Sequence, residues 1–195
     1  MSERSPGGAL VLVVGPSGAG KDTLMDAARS ALAHDARIRF ARRLITRPAM
    51  AGAEDHDSCD ETAFDEAERR GEMALSWQAH GLRYGIPCAE LAPLRDGCVV
   101  VANISRRVIA AAENAAPRTV VLNITAPAAI LAARLAARGR ETADDIAARL
   151  AREVPLETRR ADLVTIVNAS SVEEGAAEVV AVLRRLAEPI VPARG

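Results

Sequence analysis

The segment Gly15-Pro16-Ser17-Gly18-Ala19-Gly20-Lys21 follows directly on the apolar run Leu10-Val11-Leu12-Val13-Val14. Lys21 is the only lysine of the chain, and every other positive charge among the 25 is arginine. A strand, a glycine-rich turn and a helix start, in that order, form a loop that cradles phosphate. Successive backbone N–H groups there curl around an anion at a helix N-terminus. A compact ammonium on a flexible stem reaches phosphate oxygens where a planar guanidinium fits poorly. Residues 15–21, with Asp22 and Thr23, therefore read as the segment that binds ATP or another nucleoside triphosphate. The common pattern ends in Lys-Ser/Thr, whereas here Asp22 follows the lysine and Thr23 comes one place later. The alternative is a glycine turn that merely joins a strand to a helix, with a solvated lysine.

The elements that must position this loop are legible from apolar periodicity. Strands are expected at 10–14, 38–45, 98–102, 119–124 and 163–167, and helices at 21–33, 105–115, 127–137, 143–157 and 172–187. Short apolar strands alternating with helices give an α/β fold, a parallel sheet with helices on both faces. Ligands of such sheets bind beyond the carboxyl ends of the strands. Two segments break the alternation. The first, 46–97, carries Pro48, Gly52, the polar run Glu54-Asp55-His56-Asp57-Ser58, a short helix near 62–70 and an antiparallel piece from 73 to 86. It also holds three of the four aromatics, Phe64, Trp77 and Tyr84. It reads as an inserted lobe, the alternative being a loop-rich edge without function. The second, 138–154, begins Arg138-Gly139-Arg140 and reads as a small arginine-bearing lid. The core is then 1–45, 98–137 and 155–195 within a single domain of 195 residues.

Composition sets the class. Hydrophobic residues make up 49% and the mean hydropathy is +0.05, as in a soluble globular protein. A net charge of −1 argues against a general nucleic-acid binder. The apolar stretch near the N-terminus is too short for a signal peptide, and no segment is long enough to span a membrane. Three cysteines, Cys59, Cys88 and Cys98, lack metal spacing and read as reduced thiols of a cytoplasmic protein. A homodimer is left open.

A phosphate loop, an acceptor lobe and an arginine-bearing cap are the parts of a small-molecule kinase. The chain resembles the guanylate kinase family over nearly its whole length. The matches are the loop 15–21, Ile45-Thr46-Arg47-Pro48, Gly71-Glu72, His80-Gly81-Leu82-Arg83-Tyr84-Gly85-Ile86-Pro87, the cap 134–140 and Arg149-Leu150. The resemblance implies the P-loop NTPase fold of nucleoside monophosphate kinases. It further implies that Arg47 and Tyr84 hold the acceptor's phosphate, and that Lys21, Arg138 and Arg149 act on the transferring phosphate.

Several positions depart from that family. Its second phosphate-binding arginine falls at Met50, its guanine-reading glutamate at Leu75, and two serines at Ile86 and Arg43. A site without paired donors and acceptors cannot select guanine strongly. The narrower resemblance is to the ribose 1,5-bisphosphate phosphokinases of bacterial phosphonate utilisation. It is carried by residues 20–23, 45–48, 52–56 and 77–87, and by Val101-Ala102-Asn103-Ile104-Ser105-Arg106. It implies transfer of the ATP γ-phosphoryl to the 1-phosphate of ribose 1,5-bisphosphate, giving 5-phosphoribosyl 1-diphosphate. Such an acceptor has no base and two phosphates, which suits arginine's fork. Arg42, Arg43, Arg47, Arg83, Arg106 and Arg107 are candidates to hold them. Asp55, His56 and Gln78 are candidates for the ribose hydroxyls.

P-loop enzymes hold Mg²⁺ with the Ser/Thr after the lysine and an acid at a neighbouring strand end. Here Asp22 takes the first place, and the strand end carries Asn103. Asp22 is expected to supply the negative charge for Mg²⁺ while Asn103 orients a metal-bound water and Thr23 reaches the α-phosphate. The alternative is that Asp22 only caps its helix. Three other functions remain open: a guanylate or other nucleoside monophosphate kinase, a non-catalytic guanylate-kinase-like binding module, and a kinase for a sugar or acid hydroxyl with Asp55 as base.

Overall fold

The computed structural model describes residues 8–47, 56–137 and 156–188, with Gly139, Thr142, Asp145 and Ala148 between the last two stretches. In chain order the elements are β1 (Leu10–Val14), α1 (Lys21–Ala31), β2 (Ile38–Phe40), β3 (Arg43–Ile45), β4 (His56–Ser58), α2 (Glu61–Arg69), β5 (Met73–Ala79) and β6 (Leu82–Pro87). A 3₁₀ segment, Cys88–Asp96, leads to β7 (Val99–Asn103). After a 3₁₀ turn, Arg106–Val108, come α3 (Ile109–Ala112), β8 (Thr119–Thr125), α4 (Ala128–Ala137), β9 (Asp162–Val167) and α5 (Val172–Leu186).

The main sheet has the order β2-β7-β1-β8-β9, and each neighbouring pair is parallel. β1 is buried along its whole length, as a central strand covered on both faces must be. Its pleat splits the core in two. Val11 and Val13 face α1 and α5, packing with Leu24, Ala28, Val179 and Leu183. Leu10, Leu12 and Val14 face the other way, against Leu75, Ile86, Leu91 and Ile109. Register places Asn103 beside Val13 and Asn123 beside Val14. Polar side chains thus arrive at the carboxyl ends of the strands, where the apolar run gives out.

The expected strand 38–45 is two strands. Ile38–Phe40 pairs with β7 in the main sheet, and Arg43–Ile45 joins a second sheet of order β4-β3-β6-β5. The Ala41 N–H donates to Val101 O (2.8 Å), and the next N–H, of Arg42, turns away to donate to the Glu90 carboxylate (2.8 Å). Alternating apolar and basic residues carry no mark of such a change of sheet. The expected helix 105–115 shrinks to one 3₁₀ turn and the single turn α3, closed by the Glu113 N–H donating to Ile109 O. The expected 62–70 helix is α2, and the antiparallel piece is the β5–β6 hairpin. Its corner is His80-Gly81, with φ of 53° and 74°, the positive pair that a two-residue hairpin turn needs. Thr142 Oγ1 donates to Asp145 (2.7 Å) and accepts from the Asp145 N–H (3.2 Å), a helix-start pattern. The rest of the expected helix 143–157, and most of 138–154, lie outside the described residues.

The chain returns to the main sheet through a carboxylate clamp. Glu113 is buried (5% exposed), and its Oε1 accepts the N–H groups of Arg159 (2.9 Å), Arg160 (3.2 Å) and Ala161 (3.1 Å). Burial pushes its pKa up, but the three N–H donors outweigh this and hold it below the ordinary glutamate value. A carboxylate with a depressed folded pKa contributes stability above its unfolded pKa and loses it as pH falls through the folded value. Glu113→Ala is expected to cost about 1–3 kcal/mol near neutral pH by leaving the three donors unpaired. The gap from wild type in denaturant unfolding should narrow as the solution is made acid.

Candidate functional site

The loop between β1 and α1 must turn N–H groups inward, so its carbonyls need partners elsewhere. Lys21 Nζ donates to Gly15 O (2.9 Å) and Pro16 O (3.0 Å). The Ala19 carbonyl accepts from Asn168 Nδ2 at 2.8 Å and from Arg134 Nη1 at 3.4 Å. Two glycines are required by their surroundings. A Cβ at Gly15 would lie 1.9 Å from the Ile124 carbonyl oxygen. At Gly20, where φ is +81°, it would lie 2.5 Å from Asn168 Nδ2. Gly18 and Ala19 are buried, while Pro16 and Ser17 form the half-buried rim.

The N-cap of α1 is Gly20, and Asp22 is the acidic residue of the helix's first turn. Asn103 Nδ2 donates to Asp22 Oδ1 at 2.8 Å, joining the end of β7 directly to the first turn of α1. Asp22, Asn103 and Arg43 share one open cleft. Thr23 is exposed. Among the described residues no group of three acids, histidines or cysteines is arranged to hold a metal by itself.

Strand alternation sorts the second sheet into two faces. Arg43 pairs with His56, Ile45 with Tyr84, Trp77 with Tyr84, and Leu75 with Ile86, so these share the face toward the main sheet. Trp77 and Tyr84 stack, with centroids 5.5 Å apart and planes 9° from parallel. The Arg43 guanidinium lies 6.0 Å from the Tyr84 centroid. Leu75 and Ile86 are buried in the core. Arg47 follows β3, and its Nε is shut from solvent with no hydrogen-bond partner among the described residues.

Arg83 and Gln78, two of the expected acceptor residues, pair with each other on the opposite face of this sheet from Arg43 and Tyr84. Arg83 sits over Phe64 (4.4 Å) and forms ion pairs with Glu61, Asp65 and Glu68 of α2. The Asp65 hydrogen bond leads the causes that raise its pKa. Arg83 thus ties α2 to the hairpin, and Gln78 is exposed. The odd residues of β5 follow Trp77 inward, so the even ones must face out. Arg106, just past β7, donates to Asn123 Oδ1 (3.4 Å) at the same edge of the main sheet. Asp55, Arg138 and Arg149 lie outside the described residues.

Sequence reasoning missed Asn168. It is 4% exposed, follows β9, and stands 149 positions from the loop carbonyl it holds. Its own N–H donates to Thr125 O (2.7 Å), which fixes its approach.

No protein-family model matches the chain. It is 55% identical over 177 residues to ribose 1,5-bisphosphate phosphokinase PhnN of Methylobacterium radiotolerans, covering 91% of this chain and 98% of that one. The PhnN protein of the same description from Brucella melitensis is 52% identical over 172 residues, with 88% and 90% covered. The chain belongs to the ribose 1,5-bisphosphate phosphokinase family. A bifunctional ribose 1,5-bisphosphokinase-thymidine phosphorylase of Cupriavidus pinatubonensis is 50% identical over 177 residues, but the match spans only 29% of that longer protein. Among solved structures, guanylate kinase from Anaplasma phagocytophilum superposes with a TM-score of 0.66 over 98% of this chain and 90% of that one, at 22% identity. That likeness is one of fold: an α/β arrangement with a parallel sheet flanked by helices. No helix among the described residues is long and apolar enough to cross a membrane.

If Asn168 holds the phosphate loop in shape, Asn168→Asp should be worse than Asn168→Ala, because it turns an acceptor toward the Ala19 carbonyl. Asn168→Ala is expected to cost about 1–3 kcal/mol of stability and to weaken ATP binding about tenfold. Thermal unfolding and calorimetric titration with ATP check both.

Proposed function

We propose that this protein is an ATP-dependent kinase that phosphorylates ribose 1,5-bisphosphate to 5-phospho-α-D-ribose 1-diphosphate, a step of phosphonate breakdown. The observation that carries the reading is the inner face of the second sheet. Leu75 and Ile86, at the positions where the guanylate kinase resemblance puts base-reading groups, are buried among apolar side chains. Arg43, at another such position, presents a guanidinium braced on Tyr84. Such a face lacks the carboxylate and the two hydroxyls of the guanylate kinase pattern and offers a phosphate a cation.

The reaction needs little beyond alignment and neutralised charge. An oxygen of the acceptor's 1-phosphate attacks the γ-phosphorus of ATP. The bond from that phosphorus to the β–γ bridging oxygen breaks, and ADP leaves with the electron pair. A sugar phosphate with a second pKa of about 6 is already anionic near neutral pH, so no base is required. Loop N–H groups and Lys21 hold the β- and γ-phosphates, the lysine exchanging its bonds to Gly15 O and Pro16 O for phosphate oxygens. Arg47, Arg43 and Tyr84 hold the acceptor, with His56 beside Arg43 for the ribose. Arg106 and Asn103 close the strand-end side. The segment 46–97 acts as the acceptor lobe, and 138–154 as a lid that brings Arg138 and Arg149 to the transferring group and excludes water.

Mg²⁺ fits the donor set. A hard cation bound with ATP takes one or two carboxylates and otherwise phosphate oxygens and waters. Asp22 offers one carboxylate, oriented by Asn103. The metal would neutralise charge on the β- and γ-phosphates. The partners in this reading are ATP and a small phosphorylated sugar, with no nucleic acid and no membrane. A cytoplasmic location follows the same reading.

Release of ADP from Mg-ATP should occur with ribose 1,5-bisphosphate and be near background with GMP or no acceptor. Turnover of GMP at a comparable rate would refute the reading. In the same assay, Asp22→Ala should raise the magnesium concentration needed for half-maximal rate; an unchanged requirement removes Asp22 from the metal site.

A further inference from the structure

Tyr84 stands on β6 between β3 and β5, and each of those strands sends a side chain to it across the inner face of the second sheet. From β5 comes Trp77, its cross-strand partner, stacked nearly parallel with 5.5 Å between centroids. From β3 comes Arg43, its guanidinium 6.0 Å from the ring centroid. Trp77 is the chain's only tryptophan. It stands two residues from Leu75 on the same face and packs against the apolar cluster that buries Leu75 and Ile86. Trp77 and Tyr84 are themselves only half-buried. The stacked pair thus marks where the apolar end of this face gives way to its open part.

Leu75 and Ile86 occupy positions where the guanylate kinase resemblance puts base-reading groups. A purine seated there needs room over these two side chains and beside Tyr84. An indole is a flat system of two fused rings, as a purine is, and that of Trp77 already lies against the cluster and on the Tyr84 ring. A smaller apolar residue would complete the core at this point; two fused rings reach further along the face. Discrimination is gained by repelling the wrong ligand as well as by contacts to the right one. Lost polar partners weaken the hold on a base. Space filled by a packed ring shuts the base out.

We infer that Trp77 fills, from within the chain, the space a nucleobase would take on this face. It is then a specificity-determining residue, which separates a phosphorylated sugar from a nucleoside monophosphate carrying the same sugar phosphate. The inference rests on the bisphosphate reading above. It adds a steric exclusion to the missing base-reading groups.

The test measures GMP and ribose 5-phosphate as competitive inhibitors against ribose 1,5-bisphosphate, for wild type, Trp77→Ala, Trp77→Leu and Trp77→Phe. The two inhibitors differ by the base alone. Thermal unfolding verifies the fold, and Trp77→Leu, which keeps an apolar contact with the cluster, serves should Trp77→Ala unfold. Trp77→Ala and Trp77→Leu should strengthen inhibition by GMP relative to ribose 5-phosphate about tenfold. Trp77→Phe, with one ring left on Tyr84, should fall between them and wild type. The KM for Mg-ATP should stay unchanged. Equal changes for both inhibitors, or no gain for GMP, would overturn the role of Trp77 while leaving the kinase reading intact. A wild type that phosphorylates GMP and not the bisphosphate would overturn the kinase reading and this inference with it.

Discussion

A loop that binds anions through its backbone must give up its own carbonyls to something else. The whole site depends on how this is done here. The Ala19 carbonyl is pinned from behind by Asn168, brought there by the end of β9, with Arg134 of α4 as a second donor. Gly15 and Gly20 have no Cβ, which lets the Ile124 carbonyl and the Asn168 amide come close enough. Three separate elements of the sheet edge thus shape seven residues of loop. Glu113 applies the same device in reverse, one carboxylate collecting three N–H groups where the chain re-enters the core.

The second sheet divides its labour by face. The outer face is structural: Arg83 joins three carboxylates of α2 and covers Phe64. The inner face is split again. Its apolar end, Leu75 and Ile86, completes the core, and at its polar end Arg43, beside His56 and Tyr84, lines the cleft along α1. Burial of the apolar end fixes the register, because a slip of one residue would send Leu75 to solvent and Arg83 to the core. The position of Arg43 is therefore bound to the packing of its neighbours. An acceptor that carries no base and two phosphates matches this division, and the family to which the chain belongs is named for one.

Local patterns in the sequence were sufficient for the phosphate loop, the alternation of strands and helices, the hairpin and the α2 helix. Each rests on periodicity or on glycine placement within a short window. What required the fold is long-range or a matter of side. The split of 38–45 turns on hydrogen bonds to Val101 and Glu90, far along the chain. The outward turn of Arg83 and Gln78 depends on the pairing of β5 with β6, which carries an irregularity between Met73 and Leu75. The direct hydrogen bond from Asn103 to Asp22 is likewise a matter of strand-end geometry, set by residues 81 positions apart. Asn168 shows no local signal, since a lone asparagine after a strand reads as a turn residue.

On the proposed reading, this fold holds an anion where a guanylate kinase reads a base. Phosphorus NMR of the products tests it most directly, with Mg-ATP and equal amounts of ribose 1,5-bisphosphate and GMP in one tube. The expected result is a new pair of coupled diphosphate resonances beside an unchanged sugar 5-phosphate, while GMP persists. Formation of GDP, with the bisphosphate left intact, would contradict it.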